Sequence, residues 1–166
     1  MTITIVPFTP DRAADFDRLN RSWIEHYFTV EPFDDLVLTQ PEKMIIEPGG
    51  EIWFGALDDE IVGACALLNY APSVFEFTKL GVDEKARGHG VARALLRFCR
   101  DRATQNGARI LKIFTNTSLK PANALYVSEG FVEIPLTEAE RSRYKRCDII
   151  YDLPLKANPV SPDKQP

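Results

Sequence analysis

The chain is short of the features that most readily assign a function. It has three cysteines in 166 residues, Cys65, Cys99 and Cys147, with no CxxC pair and no histidine close by. That spacing excludes a disulfide framework or a zinc site and fits small core residues in a reducing compartment. No apolar run approaches the roughly 18 residues of a membrane span, and no charged leader precedes an apolar stretch. The expected setting is therefore cytoplasmic, with no membrane partner and no metal. Positive charge is not in excess either. Twenty basic side chains face 24 acidic ones for a net charge of −4, which argues against a nucleic-acid partner. Internal repeats and low-complexity blocks are absent.

What remains is the composition of an ordinary globular protein, 45% hydrophobic and 27% charged, on a chain long enough for one core. A single domain is expected over residues 1–154. The ending "PLKANPVSPDKQP" is rich in proline, so residues 155–166 read as a flexible tail.

Along the chain, "TITIV" alternates and is β-branched, which predicts a strand. From Asp11 to about Phe28 the spacing of Phe16, Leu19, Trp23 and Tyr27 predicts a helix. "DDLVLTQPEKMII" reads as a second helical piece broken at Pro41. "EIWFGAL" and "EIVGACALL" form a hairpin about "DDE", and "SVFEFTKLGV" is a further strand. A helix over 90–104, the strand "ARILKIF", a helix from about Pro121 to Glu129 and the strands "FVEI" and "CDIIYDL" complete the order. The layout is mixed α/β (α+β): one central sheet covered by helices.

Two local irregularities carry information. Phe75 and Phe77 place apolar groups at odd positions, whereas Leu80 and Val82 place them at even ones. A strand changes parity only through an extra residue, so a β-bulge is predicted near Thr78 or Lys79. Immediately after comes "KARGHGVA", with two glycines between a strand and a helix. Glycine is costly inside regular structure, so Gly88 and Gly90 mark either a tight turn or a close approach. Open amides at a helix N-terminus suit an anion, above all a phosphate. Arg87 could add a charge-assisted contact. A Rossmann loop fits poorly, because the third residue after Gly90 is Arg93, and the G-K-[ST] of a Walker loop is missing.

These residues resemble a known family. Arg87, Gly90 and Ala92 match R/Q-x-x-G-x-G/A, the acyl-CoA signature of the GCN5-related N-acetyltransferases (GNAT). Ala122, Leu125, Tyr126, Gly130 and Phe131 match a second pattern of that family, A-x-x-L-Y-x-x-x-G-F. The similarity runs over about residues 50–134. It implies the GNAT fold: a mostly antiparallel twisted sheet with a splayed parallel pair and about four flanking helices. It also implies acetyl-CoA as co-substrate, lying in the splay. Backbone groups of Leu80, Gly81 and Val82 would pair with the pantetheine arm. Amides of Arg87, Gly88, His89, Gly90, Val91 and Ala92 would hold the pyrophosphate, with the His89 side chain facing solvent. Asn116 is a further candidate for the coenzyme, although the family's usual asparagine position is occupied here by Leu119.

The implied reaction is acetyl transfer to a primary amine of a small molecule or peptide in a ternary complex. Tyr126 matches the family's usual general acid, a phenol able to protonate the departing thiolate. Glu76, between two phenylalanines, is the candidate general base. On the acceptor side His26, Tyr27 and Glu31 are the substrate-binding candidates, whereas Trp23 reads as a core residue. Arg93, Arg97 and Arg100 read as a solvated row, with coenzyme phosphates as the other use. A non-catalytic acyl-CoA-binding regulatory module of the same fold is the alternative, and homodimers are common in the family.

Overall fold

The protein is described by a computed structural model covering residues 1–143 and 145–156. Most of the expected tail, from residue 157 on, lies outside the described residues. Seven strands form one sheet: β1 (Ile3–Pro7), β2 (Glu51–Leu57), β3 (Glu60–Ala71), β4 (Val74–Val82), β5 (Ile110–Thr115), β6 (Val132–Ile134) and β7 (Ile149–Pro154). They lie in the order β1-β2-β3-β4-β5-β7-β6. Every neighbouring pair is antiparallel except β4 with β5. The helices are α1 (Ala13–Tyr27), α2 (Pro32–Thr39), α3 (Val91–Gln105), α4 (Lys120–Ser128) and α5 (Glu138–Arg143). The expected mixed architecture is what forms. The short α5 was not expected, because "EAERSR" has no apolar period to reveal a helix. Among the described residues no helix is long and apolar enough to cross a membrane.

Two apolar layers sandwich the sheet. On one side α1 and α2 bury Phe16, Leu19, Ile24, Val37 and Leu38 against Ile52, Phe54, Ala64 and Ala66. On the other, Val91, Leu95, Leu96, Cys99 and Ala103 of α3 and Tyr126 of α4 pack on Cys65, Leu67, Phe77, Leu111 and Ile113. Each fully buried large aliphatic or aromatic side chain contributes roughly 1.5–3 kcal/mol, so both layers are needed. α1 can come this close to β4 because of Gly81. A Cβ there would stand 2.5 Å from the Leu19 carbonyl oxygen.

The predicted bulge is present. Ala64 pairs with Gly81 and Ala66 with Thr78, leaving Lys79 and Leu80 together opposite Cys65. Lys79 takes a left-handed backbone, φ 55°. Phe75, Phe77, Leu80 and Val82 thereby all face the α3 layer. Glu76 and Thr78, paired with Leu68 and Ala66, face α1 and α2.

The parallel pair is short. Val74, Phe75 and Glu76 pair with Ile110, Leu111 and Lys112, and the pairing goes no further. β5 instead continues against β7 to Thr115. Beyond Glu76 the two strands splay, and the opening runs through the sheet from one layer to the other.

Candidate active site

The splay opens into a cleft of about 610 Å³. Its walls come from β4 (Glu76 through Val82), the loop and first turn of α3, the end of β5, α4 and the C-terminal turn of α1.

The turn before α3 answers the question its glycines raise. Gly88 and Gly90 have φ of 80° and 85°, a region that favours glycine, so the turn requires both. A Cβ on Gly88 would meet nothing within 4 Å, so the space above the turn is open. α3 then starts with Gly90 at its N-cap, no side chain capping it and no acid in its first turn. The first amides of a helix have no intrahelical acceptor, and the positive end of the helix dipole lies there. This end fits a diphosphate. Arg87, Gly88, Gly90, Val91 and Ala92 all line the cleft. His89 does not; its ring Nδ1 lies 3.1 Å from the Ala86 carbonyl oxygen, bracing the turn from outside.

Leu80, Gly81 and Val82 also line the cleft, on the wall the bulge displaces from the ladder. Asn116 lines it too, but its side chain is taken up by the loop. Its Nδ2 donates to the Arg146 carbonyl at 2.7 Å, and its Oδ1 accepts from the Ser118 amide at 2.9 Å. The arginine row is solvent-facing, as expected, and also paired. Arg93 and Arg97 both bind the buried Glu129 carboxylate, tying α3 to the end of α4, with Arg97 Nε at 2.9 Å.

Tyr126 and Glu76 enter the cleft from opposite layers. Tyr126 is 5% exposed and packs against Phe131 and Tyr151, with ring centroids 6.0 and 5.9 Å away. Burial raises its pKa well above the ordinary phenol value, and nearby Cys65 and Tyr151 push the same way. Its proton is therefore held across the whole neutral range. Glu76 is 1% exposed on the α1–α2 side. It pairs in register with Lys112, which in turn pairs with Asp152 and donates to it at 2.8 Å. The result is a row of alternating charge across three strands.

Of the acceptor-side candidates, only Tyr27 lines the cleft. His26 is exposed and rests edge-on against the Tyr27 ring, centroids 4.6 Å apart. Glu31 is the N-cap residue of α2, and its amide donates to Asp34 Oδ2 at 3.0 Å. Trp23, expected in the core, also walls the cleft, its indole held by Asn20 at 3.0 Å. Lys79 and Arg146 line the same end and were not anticipated. A signal existed for part of this group: Glu31 and Asp34 have capping-box spacing ahead of an apolar run. Among the described residues, no group of three or more His, Cys, Asp or Glu side chains is placed to hold a metal.

Comparison with known proteins supplies the remaining observation. A sequence model of the Acetyltransferase (GNAT) family matches residues 16–131. The chain belongs to the GNAT acetyltransferase family. Among curated relatives of this GNAT chain, N-acetylaspartate synthetase of Xenopus tropicalis is 31% identical over 93 residues, 55% of this chain. The match spans only 34% of that longer protein. A GNAT-family acetyltransferase from Staphylococcus aureus Mu50 superposes with a TM-score of 0.83 at 18% identity, over 93% of this chain and all of its own. N-acetylglutamate synthase from Neisseria gonorrhoeae, solved with coenzyme A and N-acetyl-glutamate, superposes with a TM-score of 0.70 at 17% identity. That match covers 94% of this chain and 36% of the synthase. At these identities the superpositions show the shared GNAT fold.

Proposed function

We propose that the protein transfers the acetyl group of acetyl-CoA to a primary amine of a small molecule or peptide, by direct attack in a ternary complex. The observation that carries this reading is the placement of Tyr126 and Glu76. A protonated phenol and a buried carboxylate reach one cleft from opposite layers of the sheet, on either side of the splay.

The chain's own residues then have distinct tasks. The turn from Arg87 to Ala92 anchors the coenzyme's diphosphate, and the backbone of Leu80 to Val82 aligns its arm. Fixing donor and acceptor within about 3–3.5 Å of attack geometry removes much of the entropic barrier. An amide freed from the ladder at the bulge faces the oxygen on which charge develops. Glu76, directly or through water, takes the proton that the attacking ammonium must lose. Tyr126, held in its neutral form, gives its proton to the sulfur that leaves and regains one from the nitrogen as the amide forms. The products named for two relatives, N-acetylaspartate and N-acetylglutamate, make free amino acids the first small molecules to test.

The test is an acceptor screen with acetyl-CoA, reading thiol release beside calorimetric titration of coenzyme A. Amine-dependent thiol release is expected. Tight coenzyme binding with no release across amino acids, polyamines and peptides would replace the enzyme with a non-catalytic acyl-CoA-binding module. No coenzyme binding would remove both.

A further inference from the structure

The end of the cleft beneath α1 and α2 holds an arrangement that acetyl transfer alone does not require. Lys79 projects from the bulge toward α2, with its side chain 12% exposed, and Arg146 reaches the same place with 23% exposed. Both turn to one carboxylate, Asp34, itself 6% exposed. Arg146 grips it with two nitrogens, Nη1 at 2.7 Å from Oδ2 and Nη2 on Oδ1. The Glu31 amide takes a further position on Oδ2. Lys79 Nζ stands 3.7 Å from Oδ1, outside hydrogen-bond range. The guanidinium also lies 5.5 Å over the Phe28 ring, which keeps it at the cleft wall.

A nearly buried cation with an incomplete partner is expensive, and a structural role would be served as well by an apolar side chain. Lys79 also occupies a left-handed backbone that a lysine seldom adopts. Such strain collects at functional positions, and bulges commonly re-aim a side chain. Charge completes the case. Lys79 and Arg146 face Asp34 and Glu76, two against two. Once Glu76 accepts the acceptor's proton, this end of the cleft is left one positive charge in excess. A polyamine or lysine-rich peptide would add more of the same sign. A carboxylate on the acceptor would cancel it.

The geometry points to an acceptor amine that itself carries a carboxylate, held by Lys79 and by the donors of Arg146 that Asp34 leaves over, with Asp34 as the tether that orients both cations. This rests on the transferase reading and narrows its substrate to amino-acid-like anions. Burial lowers the pKa of Lys79, with Asp34 opposing. An anion bound beside it would restore the charged form.

The experiment uses the full chain saturated with coenzyme A. L-Alanine, L-aspartate and L-glutamate are titrated against alaninamide and spermidine by calorimetry, and the same probes are run with acetyl-CoA for kcat/KM. Carboxylate-bearing amines should be preferred over the amide by about 10- to 100-fold, the range of a charge-assisted hydrogen bond. In Lys79→Gln that ratio should collapse toward one, mainly through KM. Lys79→Gln is the principal variant because it removes only a long contact, whereas Arg146→Gln strips Asp34 of its main partner; circular dichroism checks both folds. Equal or better use of alaninamide or spermidine overturns the inference and leaves the transferase reading standing. So does a ratio unmoved in Lys79→Gln, and so does failure of every carboxylate probe to bind while coenzyme A binds. Failure of coenzyme A itself to bind takes down the transferase reading, and this inference with it.

Discussion

The two layers of the sheet are built on different principles. The α3–α4 side is apolar up to the rim of the cleft, and what it offers a ligand is mostly backbone, two left-handed glycines and an uncapped helix end, beside one buried phenol. The α1–α2 side is apolar only toward β1. Toward the splay it becomes a charged chamber of Glu76, Lys79, Asp34 and Arg146. The contrast teaches that a site for a constant ligand can be made of amides and glycines. A site for a variable ligand has to be made of side chains, because only side chains can be exchanged without rebuilding the strand or helix that bears them.

This division can be broken by experiment. Tyr126→Phe should produce the largest effect, a loss of turnover on the order of 100-fold or more with the Kd of acetyl-CoA unchanged. A matching loss in affinity would reduce the phenol to a packing residue. Next, Glu76→Gln should lower kcat/KM by roughly 10- to 100-fold and abolish the acidic limb of its pH profile; a profile superimposable on the parent's would hand proton removal to water. Gly90→Ala forces a side chain into a left-handed backbone at about 1–2 kcal/mol. Acetyl-CoA affinity should weaken about tenfold, while amine KM at saturating coenzyme stays put.

The smallest effect separates stability from chemistry. Burial alone would raise the pKa of Asp34, but hydrogen bonds from Arg146 and the Glu31 amide outweigh it and leave the pKa below the ordinary value. A depressed carboxyl pKa adds stability that is fully present above the unfolded value, about 4. That stability is lost as pH falls through the lower folded value. Asp34→Asn should therefore cost about 1–2 kcal/mol in urea unfolding at pH 7. The gap between variant and parent should close as the pH drops below about 4. A gap that persisted at low pH would mean that Asp34 stabilises by shape and not by charge.

How much of this was legible follows the same division. The glycine turn and the bulge are local. The first is written in two residues around His89, and the second in the change of parity from Phe75 and Phe77 to Leu80 and Val82. Tyr126, the proposed general acid, came with a motif of contiguous spacing. The charged chamber had no such trace, because Asp34 and Arg146 are 112 positions apart and meet only after the sheet has formed. His26 shows a related limit. It adjoins Tyr27 in sequence, yet neighbours on a helix diverge by about 100°, so one lines the cleft while the other meets solvent.

The doubled residue opposite Cys65 makes β4 sensitive to length in one place only. Removing Lys79 would restore strict alternation. Leu80 and Val82 would keep facing the α3 layer and Gly81 the α1 backbone that it lets approach, but the strand opposite Cys65 would run straight, with no bulge to hold it off the ladder. Such a deletion is expected to leave the first half of the strand correctly seated while the second half closes the crevice. It would yield a folded protein that no longer admits its donor.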